Sequence, residues 1–252
     1  MKRDRLKKLA EDKRCIPGIY NYCDRWCERC PQTSRCLNFS ILEEEFPDRE
    51  SQDIRNEAFW GKLSEVLGEA FELLKEAAEK WGVDLDTLDS TADTGDMKAK
   101  DEAAENHLLC RVAKKYSQRV DDWFKEKETL FVEAAAAREG VNLDEAFEVI
   151  RWYQYFVAAK VMRAVRGKSE EEEEEGSDEF PSDSDGSAKI ALIAMDRSIG
   201  AWAAVRHYDM HGDEGVLDII AFLDRLRQAV EKAFPSARSF IRPGFDGVDL
   251  NS

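Results

Sequence analysis

The chain lacks an uninterrupted apolar run long enough to span a membrane. A spanning helix needs about 18 to 20 consecutive apolar residues, and charged residues, 36% of the 252, interrupt every hydrophobic stretch before that length. The opening residues, MKRDRLKKLAEDKRC, are not followed by the apolar core of a secretory signal. From these absences we expect a soluble, cytoplasmic protein with no membrane association.

Common catalytic signatures are missing as well. The sequence has no glycine-rich phosphate loop and no G-x-S-x-G nucleophile motif, and it contains only three histidines. Alternation of apolar and polar residues, which indicates a β-strand, does not occur over a useful length. The sequence therefore predicts an all-α fold and leaves open whether the protein is an enzyme.

Helical periodicity, in contrast, is present along most of the chain. Apolar residues recur at steps of three and four between Phe59 and Trp81, and Gly82 supplies a stop. Similar patterns predict further helices over residues 99–138, 142–166, 188–206 and 213–234. The economical architecture is a bundle of four to five antiparallel helices.

Charge and composition divide the chain into segments. The net charge is −16, yet residues 1–36 hold ten Lys or Arg and only five acids. The stretch 168–187 is rich in Glu, Asp, Ser and Gly, which predicts a disordered acidic linker. We therefore expect a basic, Cys-rich metal-binding segment over 1–50, the first bundle helices over 51–167, the linker over 168–187, and the remaining helices with the C-terminal tail over 188–252.

Four of the six cysteines lie within fourteen residues. Cys23, Cys27, Cys30 and Cys36 have the pattern C-x3-C-x2-C-x5-C. Because the cytosol keeps thiols reduced, clustered cysteines there indicate a metal site rather than disulfides. Four thiolates at this spacing suit one tetrahedral zinc ion or one iron–sulfur cluster. We expect the first three on one face of a helical turn that Pro31 ends.

The neighbours of these cysteines leave several details open. Arg25, Arg29 and Arg35 interleave with the thiols and favour their deprotonated form. Cys15 is an alternative ligand, whereas Cys110 is expected to be an ordinary half-buried thiol. A stripe of cysteines packed as small hydrophobic residues is the competing interpretation. Iron–sulfur and zinc are nearly equal candidates for the cofactor.

Two short stretches resemble known proteins. The pattern Cys27-x2-Cys30-Pro31-x4-Cys36 resembles the cysteine triplet of the iron–sulfur nucleases of DNA repair and CRISPR adaptation. That resemblance covers about ten residues and implies a cluster, but no nuclease motif accompanies it. The stretch IPGIYNYCDRWCERCPQTSRC is similar to the opening of a group of uncharacterised bacterial helical proteins, which implies no particular function.

The histidines give weaker candidates for a metal site. His207 and His211 have the i, i+4 spacing of a chelating pair, with Asp209 and Asp213 nearby, but they also fit a fraying helix end. His107 and its neighbouring glutamates do not have the Glu-x-x-His spacing of helical di-iron proteins. We expect His107 to face solvent or the Cys-rich head.

Two charges fall on apolar helical faces. Lys160 and Asp196 predict a buried ion pair across the bundle, because a buried charge is costly unless it is paired. With Tyr153 and Trp202 they would also line a pocket, which an iron–sulfur redox or radical enzyme would use.

Three functions therefore remain open. The first is a non-enzymatic metal-binding helical protein whose four-cysteine site is a structural clip or a partner-binding element. The second is the iron–sulfur redox enzyme. The third is nucleic-acid binding by the basic head, with Tyr20, Tyr22 and Trp26 as stacking residues, although the strongly negative net charge makes nucleic acid an unfavourable partner.

Overall fold

The computed structural model describes residues 3–48, 50–83, 94–136, 143–173, 183–208 and 214–247. Within these ranges the chain forms eight α-helices and no β-strand, which confirms the all-α class. The predicted count of four to five helices is wrong. Two short N-terminal helices flank the cysteine segment, and one predicted helix is divided in two.

The helices are α1 (Arg3–Ala10), α2 (Leu37–Glu45), α3 (Glu57–Trp81), α4 (Thr94–Asn106), α5 (Leu108–Ala136), α6 (Asp144–Glu173), α7 (Asp183–Tyr208) and α8 (Glu214–Ala233). Short 3₁₀ turns occur at Ile19–Asn21, Cys27–Arg29, Thr33–Arg35 and Ala237–Ser239. Of the helices in the described ranges, none is both long and apolar enough to cross a membrane.

The chain forms two compact units. The first, here called the cysteine unit, comprises Met1–Asp96 and Arg242–Ser252, and the second, the bundle unit, comprises Met97–Ile241. This division differs from the predicted segments in two respects. Helix α3 belongs with the Cys-rich segment rather than with the bundle helices, and so does the end of the C-terminal tail.

Short helices and ion pairs build the cysteine unit. Helix α1 packs against α2 and α3. The Arg5 guanidinium donates to the Glu44 carboxylate at 2.6 Å, and Lys7 Nζ lies 2.7 Å from Glu76 Oε2. The apolar core of this unit is small. Among its described residues the buried apolar side chains are those of Leu6, Ile19, Trp26, Phe46 and Ala78.

Helix α3 ends where the sequence predicts. Its first residue follows Asn56, whose side-chain oxygen accepts the Ala58 backbone N–H at 3.0 Å and caps one of the unpaired amides of the first turn. At the other end, Gly82 adopts a left-handed conformation with a φ of 70°, which glycine tolerates without steric cost. Both signals are local, so the sequence pattern is sufficient to find them.

The single helix predicted over 99–138 is divided at His107. Helix α4 ends at Asn106 and α5 begins at Leu108. The His107 side chain is exposed, as expected, and its Nδ1 accepts the Leu109 backbone N–H at 3.2 Å. The imidazole therefore caps the new helix, a role that the apolar periodicity of the two helices does not reveal.

The acidic segment is more helical than the predicted linker over 168–187 allows. Helix α6 continues to Glu173 and α7 begins at Asp183, so only 174–182 lies outside the described residues. Long-range contacts stabilise these extensions. The Arg163 guanidinium lies 3.0 Å from the Asp183 carboxylate, and Ser184 Oγ donates to Glu171 at 2.8 Å. Composition predicts disorder here because it does not register such contacts between helices.

Helices α5 to α8 enclose a dense apolar core. Helix α6 packs most extensively on α7, and α5 and α8 complete the four-helix layer. Tyr116, Tyr153 and Trp202 are fully buried at its centre. The Trp202 indole N–H donates to the Tyr116 hydroxyl at 3.2 Å, and the Trp202 ring meets Trp123 edge to face at 4.9 Å. This core is large enough to hold the bundle together without a metal.

The predicted ion pair between Lys160 and Asp196 is wrong. Asp196 is exposed, and its carboxylate lies 2.6 Å from the Arg238 guanidinium and 3.6 Å from that of Arg227. The adjacent Met195, which is fully buried, occupies the apolar face of α7 instead. Lys160 is buried, with its ammonium 5.4 Å from the centre of the Phe156 ring.

Candidate metal centre

The four clustered cysteines line one small cavity in the cysteine unit. Cys23, Cys27, Cys30 and Cys36 all contribute to its wall. The cavity has a volume of about 20 Å³, enough for one particle the size of a water molecule. Each of the four thiols is half-buried. The remaining wall is largely aromatic and apolar, and includes Ile19, Tyr20, Trp26, Phe39 and Phe245.

Consecutive tight turns carry the cysteines to the cavity. Cys27 opens the turn Cys27–Arg29, and the Cys30 backbone N–H closes it by donating to the Cys27 carbonyl at 3.1 Å. Cys36 follows the turn Thr33–Arg35 and is the N-cap residue of α2. The helical turn expected to present Cys23, Cys27 and Cys30 on one face is therefore wrong. Separate turns, rather than one helical face, bring the four cysteines to the cavity.

Backbone amides point at two of the sulfurs. The Gln32 N–H donates to Cys30 Sγ at 3.4 Å, and the Arg25 N–H donates to the Cys23 thiol. In both cases the donor lies two residues after the cysteine. Hydrogen bonds of this kind stabilise a thiolate over a thiol, and they fix the direction in which its remaining lone pairs point.

Arg25 is the one residue other than glycine with a positive φ in the described part of the chain. Its φ of 60° lies in the left-handed region, which costs a residue with a Cβ about 1 to 2 kcal/mol. The conformation turns the Arg25 N–H toward the Cys23 thiol and leads the chain into Trp26 and Cys27. Local strain of this kind is concentrated at functional sites.

Two of the four thiols, those of Cys23 and Cys27, have a raised pKa. The pKa of Cys27 is raised to about 11, first by burial and then by the neighbouring Cys23, Cys36 and Cys30 thiols. Burial also raises the pKa of Cys23, against the lowering effect of Arg25. The other three sulfurs are thus close enough to Cys27 to repel its thiolate, and a cation between them would relieve that repulsion.

The arginines and aromatic residues near the cysteines pack in or against the cavity wall. Arg25 lines the cavity, and the Arg29 guanidinium lies 4.1 Å from the centre of the Trp26 ring. Trp26 is buried and Tyr20 is half-buried in the cavity wall. A buried indole that is covered by an arginine has no free face on which a nucleic-acid base can stack.

A C-terminal turn completes the cavity. Phe245 lines it, and the Gln32 side-chain amide donates to the Gly244 carbonyl at 2.9 Å, across 212 positions of sequence. Residues 242–245 form a turn in which the Phe245 N–H donates to the Arg242 carbonyl, with Gly244 at a φ of 75°. No local pattern in the sequence indicates that this turn lies at the cysteines.

The other two cysteines lie outside the cavity. Cys110 is buried in the bundle unit, more deeply than expected, and burial raises the pKa of its thiol to about 11. Cys15 does not contribute to the cavity wall, although it lies near Cys36, since the Ile16 N–H donates to the Arg35 carbonyl at 2.9 Å. The set of four is therefore distinct from the alternative ligand Cys15.

Among the described residues, the remaining candidates do not come together as a second site. His207 is exposed at the end of α7, and His211, Asp209 and Asp213 lie outside the described residues. Tyr153 and Trp202 are core residues with no exposed surface, while Asp196 is exposed. These residues do not line a common pocket with Lys160 of the kind that the redox-enzyme hypothesis requires.

No arrangement of three or more Cys, His, Asp or Glu side chains in the described ranges has the geometry of a metal-ion site as it stands. The four thiols share a cavity, but they do not form a ready-made metal site. No family model matches the chain, and neither a curated protein nor a solved structure is significantly similar to it.

Proposed function

We propose that the protein binds one metal ion through Cys23, Cys27, Cys30 and Cys36, and that the ion acts as a structural clip. The observation that carries this proposal is the convergence of all four cysteines on one cavity of single-ion size. The two backbone N–H groups directed at sulfur support it independently, because such donors stabilise thiolate ligands.

We infer that the ion is zinc. A cavity of about 20 Å³ holds one particle the size of a water molecule, so a single ion is the smallest occupant that the four sulfurs can share, whereas a cluster adds several iron and sulfide atoms between them. Zinc takes four thiolates in a tetrahedron at about 2.3 Å from the ion. A closed four-thiolate site has no open position for substrate, so its role is structural.

The clip joins two parts of the chain that are far apart in sequence. The turns that carry the cysteines contact the C-terminal turn through the Gln32–Gly244 hydrogen bond and the Phe245 ring. Because the cysteine unit has few buried apolar residues, hydrophobic burial alone gives it little stability, and a metal ion is a common substitute for a core in such small units.

The test is the metal content of the full chain after purification without oxygen. We expect one zinc per chain and no sulfide. Serine substitution at Cys23, Cys27, Cys30 or Cys36 should lower the zinc content sharply. Cys15→Ser and Cys110→Ser are the matched controls and should retain it.

Other results would change or overturn the proposal. Iron with acid-labile sulfide and visible absorption would replace zinc by a cluster on the same ligands. If all four single-substitution variants retained zinc, these cysteines would not be its ligands. A metal-free protein whose cysteine unit is fully folded would overturn the clip itself.

A further inference from the structure

Helix α3 carries a row of large apolar side chains on its solvent-facing side. The exposed fractions are 56% for Trp60, 60% for Leu67, 53% for Phe71, 51% for Leu74 and 79% for Trp81. Single exposed apolar residues are ordinary, but a contiguous row of five on one helix is typical of an interaction surface.

The spacing of the row fits another α-helix. With Ser64 and the buried Ala78 included, the row advances from Trp60 to Trp81 by alternating steps of four and three residues. This mean step of 3.5 residues is the period of a coiled-coil seam, in which each side chain packs between side chains of a facing helix. The row extends through three such repeats.

The partner that matches this row is a second α3 helix. We propose that a second copy of this chain covers the row, with the two α3 helices antiparallel about a two-fold axis. Each contact between one residue of the row and its facing residue then occurs twice, as in any isologous interface.

The proposed pairing balances volume along the seam. When Leu67 of one copy faces Phe71 of the other, symmetry brings Phe71 of the first copy to face Leu67 of the second. Ser64 then faces Leu74, so a small side chain meets a large one in the next layer. Alternation of large and small residues across facing positions is how helices fill the space between them.

Residues beside the row allow a close approach. A Cβ added to Gly61 or Gly68 would meet no atom within 4 Å, so the backbone there is open to a neighbouring helix. Glu65 and Lys75 lie on the same side of the row, and their side chains are about half exposed. Antiparallel pairing brings Lys75 of each copy toward Glu65 of the other, so the flanking charges attract.

The area is sufficient for a specific dimer. If each large side chain presents about 200 Å² in full, the exposed fractions of the five amount to about 600 Å² per copy and about 1,200 Å² for the pair. Specific interfaces begin at about this size. The inference does not depend on the metal site.

The test is sedimentation equilibrium of the full chain with charge-swap variants. Wild type at about 50 μM should sediment at twice the chain mass. The double variants Leu67→Glu/Phe71→Glu and Leu67→Lys/Phe71→Lys should each sediment as monomers, with unchanged helical circular dichroism because these positions are exposed. An equimolar mixture should restore the dimer, since Glu would face Lys in the paired layers. Leu108→Glu, at a residue that is 68% exposed on α5, is the matched control and should remain dimeric.

Three outcomes would overturn the proposal. The first is a wild-type chain that stays monomeric at all accessible concentrations. The second is a dimer that both double variants retain. The third is loss of the dimer in each variant without recovery on mixing, which would show that position 67 of one copy does not face position 71 of the other.

Discussion

The cysteine unit and the bundle unit are both helical, but they are stabilised in different ways. In the bundle, Tyr116, Tyr153 and Trp202 have no exposed surface, and the core extends across four helices. In the cysteine unit only five apolar side chains among the described residues are buried, and the cysteines are carried by short turns. We propose that the bundle depends on apolar burial and the cysteine unit on metal–thiolate bonds.

Metal removal should produce the largest difference in stability between the cysteine unit and the bundle unit. A chelator, or Cys30→Ser, should abolish amide protection between residues 16 and 46, because a structural zinc contributes on the order of 10 kcal/mol to the folding of a small unit. Protection in α5 to α8 should not change. Hydrogen exchange with mass spectrometry measures both regions in one experiment, and equal losses in both would refute the proposed difference.

Truncation of the bundle core should have the opposite pattern. Trp202→Ala removes a fully buried side chain that contacts Trp123 and leaves a cavity in the core. It should therefore lower the free energy of unfolding of the bundle by about 3 to 5 kcal/mol. Denaturant unfolding of α5 to α8 measures this loss. Zinc content should remain at one per chain, and its loss in this variant would mean that the site depends on the bundle.

Gly244 and Gly200 offer a matched pair of glycine substitutions. Gly244→Ala puts a Cβ at a φ of 75° and 2.6 Å from Ile16 Cδ1, so it should destabilise the cysteine unit by about 1 to 2 kcal/mol and speed zinc loss to a chelator. Gly200→Ala lies in α7 with nothing within 4 Å and should stabilise the bundle by about 0.5 to 1 kcal/mol. If Gly244→Ala lost zinc at the wild-type rate, the C-terminal turn would not contribute to holding the zinc ion.

The smallest expected effect concerns Lys160 and Asp196. Because Asp196 is exposed and pairs with Arg238, Asp196→Asn should cost less than about 1 kcal/mol. Combined with Lys160→Met, its effect should be additive within about 0.5 kcal/mol, since these two residues do not form an ion pair with each other. Thermal unfolding of the two single variants and the double variant measures this. A coupling above 1 kcal/mol would restore the buried pair that the sequence predicts.

Local signals in the sequence predict much of the fold. The spacing of apolar residues in α3, together with the glycine at its end, gives that helix almost residue by residue. The clustering of four cysteines likewise predicts a shared site, and they do line one cavity. These features depend on residues within one or two turns of each other, which is the range over which periodicity and spacing carry information.

Long-range contacts account for what the sequence leaves out. The continuation of α6 and α7 into the acidic segment depends on Arg163 and Asp183, twenty positions apart, and the closure of the cavity depends on Gln32 and Gly244, 212 positions apart. No local pattern contains these two pairings, because each arises only when distant parts of the chain have packed. The His107 cap is a local contact with Leu109, but the apolar stripe runs on across it and does not reveal the division.

X-ray absorption at the zinc edge of the full chain, purified without oxygen, tests the central claim most directly. The proposal predicts a first shell of four sulfur atoms at about 2.3 Å, which falls to three sulfurs or is lost in Cys36→Ser and is unchanged in Cys110→Ser. A first shell with nitrogen or oxygen at about 2.0 to 2.1 Å in the wild-type protein would contradict it, because the four cysteines would then not be the ligands.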